Sequence, residues 1–283
     1  MCARWLAIVP MSCLLLIVPL QSIPQGEPSI MLAAVSRDNA MLTGGIGKGT
    51  RTRDGQVFIE PIARLSASGA WQSLGCSHLD HKGCAVFARS YLNHPHTYTV
   101  VSGKGFGATV HAAPVKLDEC NSYTGTATYS GKPIAHAAIA ANSANFFAES
   151  FPLEPLGAAA AAPILKSLST LVPARLDSTS GLQLFSVTLD GQSFVIVKRG
   201  FTDNGHSMVF GIVTLQKGQL RTLHWKSTIK DDEDERVLGQ IRLTSGSDFL
   251  ITTVSDPEGQ WFRVYGIRAN KLMKIFDGGG SSC

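Results

Sequence analysis

The sequence predicts a mainly β fold of antiparallel meander repeats, arranged either as a propeller-like ring or as a sandwich. Two observations favour it. The apolar residues 194–196 recur as 249–251, and residues 209–212 recur as 264–267, both at an offset of 55 residues. Short apolar runs that recur at such a period are typical of stacked β units. A short insertion rich in alanine and proline, expected to be partly helical, interrupts the pattern.

The ring and the sandwich both remain open at this point. A complete propeller needs at least about four blades, and only two units are visible. The match is also incomplete, because Ile241 and Leu243 are shifted by one position relative to Val187 and Leu189. Two separate domains are a further alternative.

The N-terminal residues 1–22 are predicted to be a signal peptide. Arg4 precedes an apolar run that carries no charge, and such a run is typical of secretory signals. Pro10 and Pro19 argue against a membrane-spanning helix. Cleavage would give a secreted, periplasmic or cell-surface protein. If the segment is retained as an anchor, it would be the only contact with a membrane.

The remaining chain divides by composition into four regions. Residues 23–55 are rich in Gly, Pro and Thr and are expected to be irregular, whereas residues 56–132 alternate like β-strands. Residues 133–180 form the Ala/Pro-rich insertion or linker, with helical spacing after Pro163. Residues 181–283 hold the C-terminal β repeats.

Four cysteines remain after the predicted signal, and an even number in an exported chain favours disulfides. They are Cys76, Cys84, Cys120 and Cys283. Three connectivities exist, of which we favour Cys76–Cys84 and Cys120–Cys283. The latter would fix a flexible tail, residues 277–282, and the alternative is a free or intermolecular thiol at Cys283.

Residues 76–96 are the densest group of possible metal ligands. His78 and His81 lie between Cys76 and Cys84, and two further histidines, His94 and His96, follow. This spacing matches no structural zinc pattern, so no metal and no cofactor are predicted. The alternative is an exported hydrolase or metal-binding enzyme that uses this loop, with the Ala/Pro segment as a lid.

No catalytic residue is predicted. The sequence contains neither a Gly-x-Ser-x-Gly elbow nor a His-Glu-x-x-His pair. The carboxylates at 231–235 lack the ligand spacing of a calcium loop, and we interpret them as a solvated connection. His206 and His224 are expected to be ordinary surface or interface residues.

The function favoured by these observations is an exported, non-catalytic binding or structural module. The partner is unknown, and a protein or a carbohydrate would suit the flat rings of Trp71, Trp225, Trp261 and Tyr265. Core packing is the alternative role for these rings.

The net charge of +4 is dispersed, which gives no support for nucleic-acid binding.

Overall fold

The described part of the chain forms a stack of three antiparallel β-sheets with one helix, seen here in a computed structural model. The structure describes residues 29–37, 53–66, 69–73, 97–102, 105–111, 115–117, 123–131, 134, 138–142, 147–151, 153–171, 179–199, 208–216, 219–228, 233–256 and 259–282. The mainly β prediction is confirmed, and the arrangement is the sandwich-like alternative.

The first sheet has eight strands in the order β3-β2-β1-β8-β4-β5-β7-β6. They are β1 (Ser29–Ser36), β2 (Gln56–Ser66), β3 (Trp71–Ser73), β4 (Thr97–Ser102), β5 (Gly105–His111), β6 (Val115–Leu117), β7 (Tyr123–Gly131) and β8 (Ala138–Asn142). Strand β2 also pairs with β7, so the sheet curls around a small core of its own that includes Val57 and Tyr98.

The second and third sheets have five strands each and are largely formed by two successive four-stranded meanders. The second contains β10 (Glu154–Pro155), β11 (Gln183–Leu189), β12 (Gln192–Arg199), β13 (Met208–Gln216) and β14 (Gln219–Thr228). The third contains β15 (Asp234–Leu243), β16 (Asp248–Asp256), β17 (Gly259–Arg268) and β18 (Lys271–Ser282), with β9 (Phe147–Phe151) beside β15. The helix α1 (Ala158–Leu171) lies between β10 and β11.

Period-two alternation sets the order of the layers, because successive side chains point to opposite faces of a strand. On β12, Phe194 and Ile196 pack against the third sheet, whereas Val195 and Val197 pack against α1. On β16, Leu250 faces the second sheet, and Phe249 and Ile251 face the first. The third sheet is therefore covered on both faces.

The recurring apolar runs occupy equivalent places in the two meanders. Residues 194–196 lie on β12 and residues 249–251 on β16, the second strand of each meander. Residues 209–212 and 264–267 lie on the third strands, β13 and β17. The relation between the two units as copies of one sequence stays a prediction.

Four local expectations were wrong. Ala138–Asn142, within the segment expected to be an Ala/Pro-rich insertion or linker, forms strand β8 inside the first sheet. Ser29–Ser36, within the segment expected to be irregular, forms the central strand β1. The helix begins at Ala158 and not at Pro163, since the preceding alanines favour helix. Residues 277–282, expected to be a flexible tail, continue β18 and pair with β17 down to Ser282.

The glycines near the end of β18 allow a close approach to β2. A Cβ atom added at Gly279 would lie 2.0 Å from the carbonyl oxygen of Ile62, and Gly279 has a φ of +62°. Only glycine fits there without moving backbone.

Replacing Gly279 with alanine is therefore expected to lower the free energy of unfolding by about 3 kcal/mol, from left-handed strain plus overpacking. Gly69→Ala is the matched control, because Gly69 has a φ of +80° and nothing within 4 Å of an added Cβ. It should cost only about 1 kcal/mol. Urea denaturation measures both, and equal losses would contradict the close contact.

Candidate functional site

A cluster of polar side chains lies at one end of the interface between the second and third sheets. It consists of His224, Glu235, Thr252, Arg263 and Tyr265, and we name it the Glu235 cluster. Glu235 is only 2% exposed and Thr252 is fully buried. A buried carboxylate must find its hydrogen-bond donors within the protein, so this group is the strongest candidate for a site.

The strands bring these residues together through alternation. On β17, Phe262 and Val264 face the first sheet, so Arg263 and Tyr265 point towards the second sheet. From the opposite side, His224 lies directly across from Ile212 on β13. Since Ile212 packs between the two sheets, the imidazole of His224 faces the same interface.

Both oxygens of Glu235 are engaged by neighbouring strands. Its Oε1 accepts hydrogen bonds from the hydroxyls of Thr252 and Tyr265, each at 2.7 Å. Its Oε2 accepts one from Nη1 of Arg263 at 2.9 Å. His224 Nε2 lies 3.4 Å from the same Oε2, a close polar contact that lacks the alignment of a hydrogen bond.

These contacts decide the charge state of Glu235. Burial alone would raise the pKa of its carboxyl, but His224, Thr252 and Tyr265 and the charge of Arg263 together bring the pKa below its ordinary value. Burial, followed by the charge of Glu235, raises the pKa of Tyr265. The pair is therefore an ionised carboxylate and a neutral phenol that donates to it.

Arg263 extends the cluster to the rim of the interface. Its guanidinium bonds Glu233 Oε1 at 3.1 Å and Asp277 at 3.4 Å in addition to Glu235. Lys226 pairs with Glu233, and Lys274 pairs with Asp277. The rim thus alternates in charge, and each carboxylate faces a cation.

The ring of His224 is fixed by aromatic neighbours. Its centroid lies 5.8 Å from that of Phe210 and 5.6 Å from that of Tyr265. About a third of its side chain is exposed, at 30%. His224 was expected to be an ordinary surface or interface residue, and its ring lies at the interface between the second and third sheets.

The opposite end of the interface carries a second polar contact, between Asp190 and Asp248. The backbone N–H of Asp190 donates to Oδ2 of Asp248 at 2.9 Å, and the N–H of Asp248 donates to Oδ1 of Asp190 at 2.7 Å. Arg242 bonds both carboxylate oxygens of Asp248, at 2.7 and 2.9 Å. The two sheets are therefore joined by hydrogen bonds at this end. At the Glu235 end they are connected by the ion pair between Lys226 on β14 and Glu233, which precedes β15.

The Glu235 cluster leaves little space for a ligand. The depression beside it, lined by residues that include Met208, Lys226 and Glu233, has room for about one water molecule. Within the described ranges, no group of three or more His, Cys, Asp or Glu side chains is placed to hold a metal ion. The cluster is built to join strands.

Most residues singled out in the sequence lie outside the part that the structure describes. These are the cysteines Cys76, Cys84, Cys120 and Cys283 and the histidines His78, His81, His94, His96 and His206. The carboxylates at 231–235 were interpreted as a solvated connection. For Glu235 this interpretation was wrong, because its side chain is buried. The sequence alone does not distinguish Glu235 from its acidic neighbours. The distinction comes from its position on β15, on the face of the strand that is turned inward.

The four aromatic residues have different roles. Trp71 packs edge-on against Phe249 at 5.3 Å, and Trp225 packs beside the α1 core over Gly211. Tyr265 belongs to the Glu235 cluster. Trp261 is half-buried, and its ring centre lies 5.7 Å from the guanidinium carbon of Arg263.

The chain matches no protein-family model, and comparison with curated proteins and with solved structures finds no match either. In the described part of the chain, no helix has both the length and the apolar character needed to cross a bilayer.

Replacing Glu235 with glutamine is expected to lower the free energy of unfolding by about 3 kcal/mol, because Arg263 loses a buried partner and the new amide adds donors where donors already converge. The control is Asp234→Asn, since its partner Arg236 is half-exposed and loss of such a pair should cost about 1 kcal/mol. Chemical denaturation compares the two. Equal losses would mean that the cluster does not stabilise the interface.

The lowered pKa of Glu235 gives a sign for the pH dependence. The Glu235 carboxylate binds a proton more readily in the unfolded chain than in the folded one. Its contribution to the free energy of unfolding is therefore complete above the unfolded pKa of about 4.3. It is lost as the pH falls through the lower folded pKa. We expect the acid-side loss of stability to be shallower in Glu235→Gln than in the native chain. Parallel curves between pH 2 and 5, roughly the window of carboxyl titration, would contradict this.

Removal of the Asp248 carboxylate by Asp248→Ala is expected to cost about 2–3 kcal/mol, since both Arg242 and the N–H of Asp190 lose an acceptor. Asp54→Ala is the control, because the Arg37–Asp54 pair is exposed and contributes little. The midpoint of thermal unfolding measures both variants. A loss no larger than that of the control would show that this end of the interface does not need the contact.

Proposed function

We propose that the protein is an exported, non-catalytic β module that binds or scaffolds a partner outside the cytoplasm. The proposal rests on one observation: the polar groups of the Glu235 cluster bond to one another inside the protein. The cluster's central carboxylate, Glu235, is buried and bonded to Thr252, Arg263 and Tyr265. A base or nucleophile must reach a substrate proton or carbon, and Glu235 is covered.

The state of the two buried groups supports the same conclusion. A general base works best with a pKa near the operating pH, whereas the pKa of Glu235 is lowered and that of Tyr265 is raised. Both shifts move the pKa values further from neutral pH. They stabilise one fixed arrangement of protons, which suits a rigid scaffold.

The location rests on the apolar segment at residues 1–22 and on the four cysteines that follow it. An exported chain meets an oxidising compartment, in which Cys76, Cys84, Cys120 and Cys283 would form disulfides. The partner class is a protein or a carbohydrate. Of the four aromatic candidates, Trp261 is the one that is half-buried outside the core clusters, so it is the ring best placed for such a contact.

The export part of the proposal is tested by the intact mass of the full chain recovered from the periplasm of a bacterial host. We expect a start near residue 23 and a mass deficit of about 4 Da for two disulfides, which reduction restores. A chain that keeps residues 1–22 and remains in the cytoplasm would overturn the localisation. A full complement of free thiols would overturn the disulfides.

The non-catalytic part is tested separately with chromogenic esters, phosphate esters and glycosides, with and without added zinc. We expect the same background rate for the native chain and for a variant that carries His78→Ala and His81→Ala. Turnover that this double substitution abolishes, in a chain that still unfolds at the native midpoint, would favour the hydrolase alternative. The two tests are independent, because export does not depend on these histidines.

A further inference from the structure

We draw no further inference here: the strongest candidate, the open edge of the second sheet, where Leu223 on β14 and Leu215 on the neighbouring β13 are exposed near Arg221, carries none, because its β-bulge and basic side chains are ordinary protections of an edge strand and nothing in the described part of the structure shows what covers it.

Discussion

The burial of one ionised carboxylate between two sheets constrains much of the structure around it. Glu235 cannot keep its charge away from water unless donors surround it. Those donors come from β16 and β17, and His224 approaches from β14. A shift of β17 by one residue would replace Arg263 and Tyr265 with Phe262 and Val264 at this interface. The carboxylate thus fixes the register of the third sheet.

The interface that contains Glu235 combines two kinds of interaction with different roles. Its middle is apolar and includes Phe194, Phe210 and Leu250. Apolar burial supplies stability but has little directional preference. The hydrogen bonds at the two ends are directional. Those around Glu235 hold β15, β16 and β17 of the third sheet together. Those between Asp190 and Asp248 cross from the second sheet to the third and define how the two sheets lie on each other at that end.

Alternation in the sequence was sufficient to predict the two meanders. The sequence Asp190-Gly191 between the first two strands of one meander is typical of a two-residue hairpin turn, and its φ angles of 48° and 76° fit a type I′ turn. Strand β1 was missed because its residues are buried on both faces, which removes alternation. Strand β8 was missed because it is rich in alanine, the best helix former, and tertiary pairing overrides that preference. The alternation of apolar and polar residues therefore predicts best those strands that have one exposed face.

The Glu235 cluster could not be predicted from sequence for a related reason. Its members are spread over residues 224 to 265. Four of them meet when β15, β16 and β17 pair, and His224 on β14 joins them only when the two sheets are stacked. In the sequence, Glu235 is one of five consecutive acids, and such a run usually lies in solvent. The structure separates Glu235, at 2% exposure, from Asp234, which pairs with the half-exposed Arg236. The direction of one side chain on β15 makes this difference.

Strongly shifted pKa values often mark active sites, but structural ion pairs produce them as well. Accessibility distinguishes the two cases. A catalytic carboxylate needs a free oxygen and a path to substrate, whereas both oxygens of Glu235 accept hydrogen bonds and the adjacent space holds about one water molecule. Tyr265 cannot act as an acid either, since its proton is held by Glu235. The partner contact that we propose would therefore use groups outside the cluster, such as the half-buried ring of Trp261, whose centre lies 5.7 Å from the guanidinium carbon of Arg263.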